Sequence, residues 1–252
     1  MQFFDSHAHY NDEKFNQDKD NVLKEIHNQD ITRLVCAGYN YQSSVSAIEI
    51  SKENDWIYTT IGISPNDVED LAKVDSLDEL LKEKKIVAIG EIGLDYYWNK
   101  ENKDIQKELF IKQIELANKY NLPIVIHTRD AAVDTIDILK NHPCNKKGVF
   151  HCCPLNQELI KEGLKLGFYI SFSGNITFKN AKSDACIGLV PLDRILIETD
   201  SPYLAPEPLR GTRNDSRNVK LVAQKIASVK NLSLEEVAKI TYDNANRIFN
   251  LP

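Results

Sequence analysis

The sequence predicts an α/β protein folded as a (β/α)8 TIM barrel, a single domain over residues 1–252. Three observations carry that expectation. Eight short apolar or β-branched runs recur along the chain, and most are separated by segments with helical spacing of apolar residues. Strands alternating with helices form a parallel sheet, and eight such units close into a barrel. No Gly-x-Gly-x-x-Gly follows the first run, which weakens the dinucleotide-binding version of the alternative, an open doubly wound sheet.

The eight predicted strands are 2–5, 33–37, 56–61, 86–90, 123–127, 148–152, 168–172 and 194–199. The first helical segment, 18–29, puts Val22, Leu23 and Ile26 on one face. Segment 42–53 follows the second run, and a weaker one, 77–84, follows the third. The clearest is 104–120, with Ile105, Leu109, Ile111 and Ile114 set between charges. Segments 131–139 and 156–166 come next, and the connection 177–189 is less regular. Two helical patterns, 219–228 and 234–249, close the chain. Ser233 with Glu236 three residues on reads as a capping box for the last. The most loop-like stretch, 201–216, carries Pro202, Pro206, Pro208 and Gly211, and it follows the eighth strand, where barrel enzymes place functional loops.

Composition narrows the functions. The chain is 42% hydrophobic and 27% charged, as in ordinary globular proteins. No run reaches membrane-spanning length and no signal-peptide core opens the chain, so a cytoplasmic location is the default expectation. The five cysteines are scattered and odd in number, which does not read as a disulfide framework. Cys36 and Cys152 lie in apolar runs and read as small buried residues. A net charge of −6 and a pI near 5.6 argue against duplex binding by bulk positive charge. They leave room for a protein that grips phosphate through metal ions.

The ends of the runs carry the chemistry. The first run leads into His7 and His9, which point to one side of an extended chain. The fourth continues into Glu91, the fifth ends at His127, the sixth reaches His151, and the eighth is followed by Asp200. Four of the six histidines thus sit at strand C-termini, the end on which a parallel barrel builds its site. His7, His9 and Asp200 make a mixed nitrogen and oxygen set for one ion, and His127 with His151 a pair for a second. Glu91 has two oxygens and can bridge them. Each residue alone has an ordinary reading: Glu91 pairing with Arg129, Asp200 capping a turn, a histidine bonded in the core. Six together favour metal. His27 and His142 lie in or at the end of helical patterns and read as surface residues.

The chain resembles the TatD-related DNase family of metal-dependent hydrolases, within the amidohydrolase-like barrel superfamily. The matching stretches are 5–9 around His7 and His9, 90–95 around Glu91, 126–131 around His127, 148–152 around His151, 169–174 with 177–179, and 196–203 around Asp200. Residues 244–249 match the closing helix. The resemblance implies a (β/α)8 barrel and phosphodiester hydrolysis in DNA. It implies metal-ligand roles for His7, His9, Glu91, His127, His151 and Asp200. The expected cofactors are two divalent ions, Zn²⁺, Mg²⁺ or Mn²⁺. The expected partner is DNA, single-stranded or at strand ends, with neither a membrane nor a stable protein partner. Three stretches depart from the family pattern. Ser64 stands where Gly-x-His-Pro has histidine, Cys153-Pro154-Leu155 follows His151 in place of Phe-Ser-Gly after the first cysteine, and Ser216 replaces a proline after Arg210-Gly211-Thr212-Arg213-Asn214-Asp215.

The leading expectation is therefore a metal-dependent deoxyribonuclease. Asp200 is ligand and proton acceptor, Glu91 the second catalytic residue, and Ser64, Arg129, Lys179, Arg210 and Arg213 are candidates to hold phosphate. Glu198 shares the phase of Asp200 and is placed to orient a ligand from behind. A hydrolase of a small ester, amide or phosphoester on the same site is the alternative. A catalytically idle binding barrel is the third reading, and the intact ligand set argues against it.

Overall fold

The computed structural model describes residues 1–252. The apolar runs form eight parallel strands in chain order: β1 (Phe3–Ala8), β2 (Ile31–Ala37), β3 (Ile57–Ile61), β4 (Ile86–Asp95), β5 (Ile124–Arg129), β6 (Gly148–Phe150), β7 (Tyr169–Phe172) and β8 (Ile195–Ile197). Nine helices intervene or close the chain: α1 (Lys19–His27), α2 (Tyr41–Glu53), α3 (Leu77–Leu80), α4 (Lys103–Tyr120), α5 (Ala132–Asn141), α6 (Gln157–Lys165), α7 (Ser183–Leu189), α8 (Val219–Lys230) and α9 (Leu234–Ile248). None is long and apolar enough to cross a membrane. The architecture is the (β/α)8 barrel.

The departures from the predicted elements have local causes. The weak segment after β3 forms only the four-residue α3, preceded by 3-10 turns over Val68–Lys73. The irregular connection after β7 splits into a 3-10 turn at Gly174–Thr177 and the short α7. Strand β4 runs ten residues, well past the predicted end at 90, and every one is buried. Gly93 allows this extension. Its φ is +137°, and a Cβ there would lie 2.0 Å from the His127 carbonyl oxygen, so only glycine lets β4 approach β5 this closely. Helix α9 starts at the capping box of Ser233 and Glu236.

Two apolar layers surround the strands. The larger packs the outer strand faces against the helices. The smaller fills the lumen: Phe4, Val35, Val87, Val125, Val149, Tyr169 and Leu196 come from seven different strands and meet in one cluster. Ala245 and Phe249, at the end of the chain's last helix, close it from below, with the Phe249 ring 6.1 Å from that of Phe4. Alternation then aims what lies two residues beyond Val125, Val149 and Leu196 into the upper lumen. Those residues are His127, His151 and Glu198.

Strand pairing runs from β1 to β8 without a ladder between β8 and β1. Other bonds make that seam. The buried Asp5 carboxylate accepts from Thr199 N at 2.9 Å, Thr199 Oγ1 at 2.5 Å and Ser216 Oγ at 2.6 Å. Ser6 Oγ donates to the Ile197 carbonyl at 2.9 Å. Asp200 N donates to His7 O at 3.0 Å, and His9 N to Ser201 O at 2.6 Å.

The plug is expected to act on stability alone. Phe249→Ala should cost about 3–5 kcal/mol in denaturant unfolding, with the metal content of the folded protein unchanged. A loss below about 1 kcal/mol would show that the lumen does not depend on the closing helix.

Candidate metal centre

All six residues that the sequence places near strand ends meet at the C-terminal mouth of the barrel. His7 and His9 face each other with their Nε2 atoms 3.1 Å apart. Asp200 Oδ1 lies 3.3 Å from His9 Nε2 and 3.7 Å from His7 Nε2. Glu91 divides its two oxygens. Oε2 is 3.5 Å from His7 Nε2 and 3.6 Å from His9 Nε2, while Oε1 is 3.0 Å from His127 Nδ1 and 3.4 Å from His151 Nε2. His127 Nδ1 and His151 Nε2 are 3.3 Å apart. Two triads bring their ligand atoms close enough to hold an ion: His7, His9 and Asp200, and His7, Glu91 and His151. His7 therefore belongs to both, where the sequence assigned it to one.

The donor set fits divalent ions. Ligands on bonds of about 2.0–2.1 Å in a tetrahedral shell lie roughly 3.3–3.4 Å from one another. The separations here, 3.0 to 3.7 Å, bracket that value. Two imidazole nitrogens aimed at one another satisfy only one proton between them, so lone pairs converge where a cation would sit. The electrostatics point the same way. Burial alone would raise the Glu91 carboxyl, but the imidazoles of His151, His127 and His7 outweigh it and hold it well below the usual carboxylate range. Burial would lower His127, yet Asp95 and Glu91 push it up to about 9. Protons on histidine thus stand in for positive charge that the carboxylates demand.

With this geometry in view, the chain can be placed among known proteins. The model of the family described as TatD related DNase matches residues 4–250. The chain belongs to the TatD-related DNase family. It is 44% identical over 252 residues to the metal-dependent hydrolase YabD of Bacillus subtilis (strain 168), covering 98% of this chain and 99% of that one. It is 39% identical over 257 residues to the metal-dependent hydrolase YcfH of Escherichia coli (strain K12), covering 100% and 97%. In fold it is similar to the crystal structure of YjjV, a TatD homolog from E. coli K12, with a TM-score of 0.93, 24% identity and coverage of 99% and 98%.

Around these six candidate ligands of the TatD-family chain stand two further carboxylates, placed against the rings of His151 and His127. Glu198 is fully buried behind His151, its Oε1 3.4 Å from His151 Nδ1 and accepting from Cys152 N at 2.6 Å. Asp95 was not singled out as a site residue. Its Oδ2 lies 2.9 Å from His127 Nε2, which leaves His127 Nδ1 to face Glu91. The signal was present: Asp95 ends the same unbroken run as Glu91. Asp200 corrects the expected strand phase. Strand β8 stops at Ile197, and Asp200 adopts a left-handed backbone with φ +56°, which aspartate tolerates better than most residues. Cys152 corrects another reading: it is half-buried and lines the site cavity rather than the core. Glu91 forms no ion pair with Arg129; its partners are the four histidines. His27, in α1, stacks on Trp56 with ring centroids 4.7 Å apart, and His142 follows α5.

The phosphate candidates separate into two groups. Arg129 and Ser64 line the same cavity as the six ligands, a space of about 720 Å³. Ser64 Oγ donates to Asp67 Oδ2 at 2.6 Å, so its proton is already used. Lys179 and Arg210 do not reach this cavity. Lys179 borders a separate depression with Lys182 and Lys225, and Arg210 lies 4.3 Å above the Phe178 ring. Arg213 is committed elsewhere. Its guanidinium holds Asp18 at 2.8 and 2.6 Å and the Lys14 carbonyl at 2.8 Å, tying the loop after β8 to the start of α1.

Ion binding must displace the protons that now balance the carboxylates. His127 is protonated below about pH 9 without metal and must be neutral to ligate. Metal affinity should therefore rise with pH up to that value, and binding at neutral pH should release protons. Calorimetric titration with Zn²⁺ in two buffers of different ionisation enthalpy counts them; a release of zero would contradict the assignment of His127.

Proposed function

We propose that the chain is a metal-dependent deoxyribonuclease that hydrolyses phosphodiester bonds in DNA, single-stranded or at strand ends, with two divalent ions. The observation that carries this reading is the split of Glu91, one oxygen toward His7 and His9 and the other toward His127 and His151. A carboxylate so placed would contribute one oxygen to each of two ions, and paired ions suit in-line displacement at phosphorus. His7, His9, Glu91 and Asp200 would hold one ion, and Glu91, His127 and His151 the other. Bound ions would supply Lewis acidity toward the phosphoryl oxygens and a water of lowered pKa. The four histidines favour Zn²⁺ by affinity, while Mg²⁺ or Mn²⁺ suits phosphodiester work.

The residues of this chain do the rest. Asp200 directs Oδ1 at His9 and His7, leaving Oδ2 to accept the proton from the attacking water. Asp95 and Glu198 hold the rings of His127 and His151 in place. Arg129 is the one lysine or arginine lining the cavity, and its planar fork suits a phosphate. The family membership and the named relatives support hydrolysis with metal. The alternative, a small ester, amide or phosphoester substrate, draws on the acidity of the same cavity, which Asp67 and Asp95 line along with that single arginine. A cytoplasmic setting accords with five free thiols.

A substrate panel decides between the readings. Purified protein should cleave a single-stranded oligonucleotide, lose that activity to chelator and regain it with divalent metal. Turnover of small esters with no cleavage of DNA would favour the alternative. Glu91→Gln should lose at least one ion by metal analysis and most of its activity, since Gln keeps the shape but not the charge. Asp200→Asn can still offer a carbonyl oxygen to metal but cannot take a proton. Its turnover at saturating metal should fall about 10²–10⁴-fold. Turnover within a few-fold of the parent would place the base elsewhere.

A further inference from the structure

We propose that Tyr97 and Trp98 form a stacking shelf for an unpaired nucleobase, with Arg129 gripping the phosphate beside it. The proposal rests on the deoxyribonuclease reading and names the part of the substrate that this side of the cavity takes.

Two adjacent large aromatics stand in the open just beyond β4. Tyr97 is 48% exposed and Trp98 66%. Indole rings are mostly covered in folded proteins, so such exposure at a cavity wall is informative. Trp98 lines the same cavity as the candidate ligands. The two rings meet edge to face with centroids 4.8 Å apart. Arg129 lies across them, its guanidinium 3.9 Å from the Tyr97 ring and 5.5 Å from that of Trp98. Unlike Arg213 and Arg217, Arg129 pairs with no carboxylate, so its five donors remain for a ligand.

The shelf is fixed to the metal centre through Asp95. Asp95 Oδ1 accepts from the backbone N–H of Tyr97 at 2.9 Å and of Trp98 at 3.0 Å. Its other oxygen holds His127 Nε2. Asp95 is also the register partner of Arg129 across β4 and β5. One residue thus ties the three together: the Asp95 carboxylate holds the aromatic backbone and a candidate metal ligand, and its backbone pairs with that of Arg129.

A π face beside an unpaired cation, both opening on a phosphodiester site, matches the repeating unit of a single strand: an aromatic base and an anionic phosphate. In a duplex the base faces are stacked and out of reach, so the shelf selects unpaired ends. It reads no particular base, because every base has a π face.

The test uses the metal-loaded protein and oligothymidylate. Trp98→Ala should raise KM by about 5- to 150-fold, the effect of one stacked base, and Trp98→Phe should restore most of it. Removing the terminal base from the oligonucleotide should raise KM for the parent by a similar factor and add little in Trp98→Ala. Oligothymidylate should also quench the tryptophan fluorescence of the parent but not of Trp98→Phe, which keeps only Trp56. A parent that cleaves the oligonucleotide while Trp98→Ala stays within twofold in KM overturns the shelf and leaves the nuclease reading standing. A parent that turns over a small aryl phosphodiester but never cleaves oligothymidylate overturns both.

Discussion

The centre exists only because the sheet closes. His7 and His9 belong to β1, Asp200 follows β8, and these are the two ends of the strand order. No ladder joins them. A buried carboxylate, Asp5, does that work through Thr199 and Ser216. Burial pushes Asp5 up to about 7 against the pull of its three donors, a measure of how much desolvation the seam imposes. Backbone bonds then interleave the two ends, Asp200 to His7 and Ser201 to His9. The residues that close the barrel are therefore neighbours in sequence of those that build the site. Any shift of β8 against β1 would separate Asp200 from both histidines at once.

The second constraint is charge. Glu91, Asp95 and Asp200 line one cavity with Glu198 buried behind them, and Arg129 is the one lysine or arginine lining that cavity. An apolar lumen beneath, from Phe4 to Leu196, offers no relief. Such a cluster is stable only with positive charge among its members. Histidine is the residue that can meet both needs, charged when alone and neutral when it ligates. This explains why the four imidazoles and the carboxylates alternate in space, with Glu91 between the two histidine pairs.

The fold was legible where pattern and packing agree. Apolar runs bounded by helical segments gave eight strands in the right order, and the candidate ligands fell at strand ends because a parallel barrel buries everything below them. Boundaries were less legible: β8 stops at Ile197, so the phase that aimed Asp200 inward came from a left-handed turn and not from the pleat. Which histidine nitrogen faces the centre depends on Asp95, thirty-two positions from His127, and no local pattern encodes that pairing. The cations were least legible. Arg213 pairs with Asp18 across a separation of 195 residues, and Arg210 rests on Phe178, so neither is free to meet a substrate at the cavity. The departure at Ser64 acquires a meaning only in the structure, where its hydroxyl is bonded to Asp67 in a cavity wall whose one lysine or arginine is Arg129.

That wall bears on how an acidic protein handles a polyanion. With a net charge of −6, the chain repels DNA at long range. Within the cavity Arg129 is the one fixed cation beside Asp67, Glu91, Asp95 and Asp200, and protons on the histidines supply the rest of the balancing charge. Two divalent ions would add four positive charges while releasing the histidine protons, so the loaded site would be the more positive of the two states. On this accounting the site attracts phosphate more strongly when loaded, and attraction reaches no further than a Debye length of about 10 Å at moderate salt. Affinity for the rest of the strand must then come from contacts that do not depend on bulk charge. Stacking on exposed aromatics is such a contact, and the one broad aromatic surface beside an unpaired guanidinium is the pair that Asp95 holds in place.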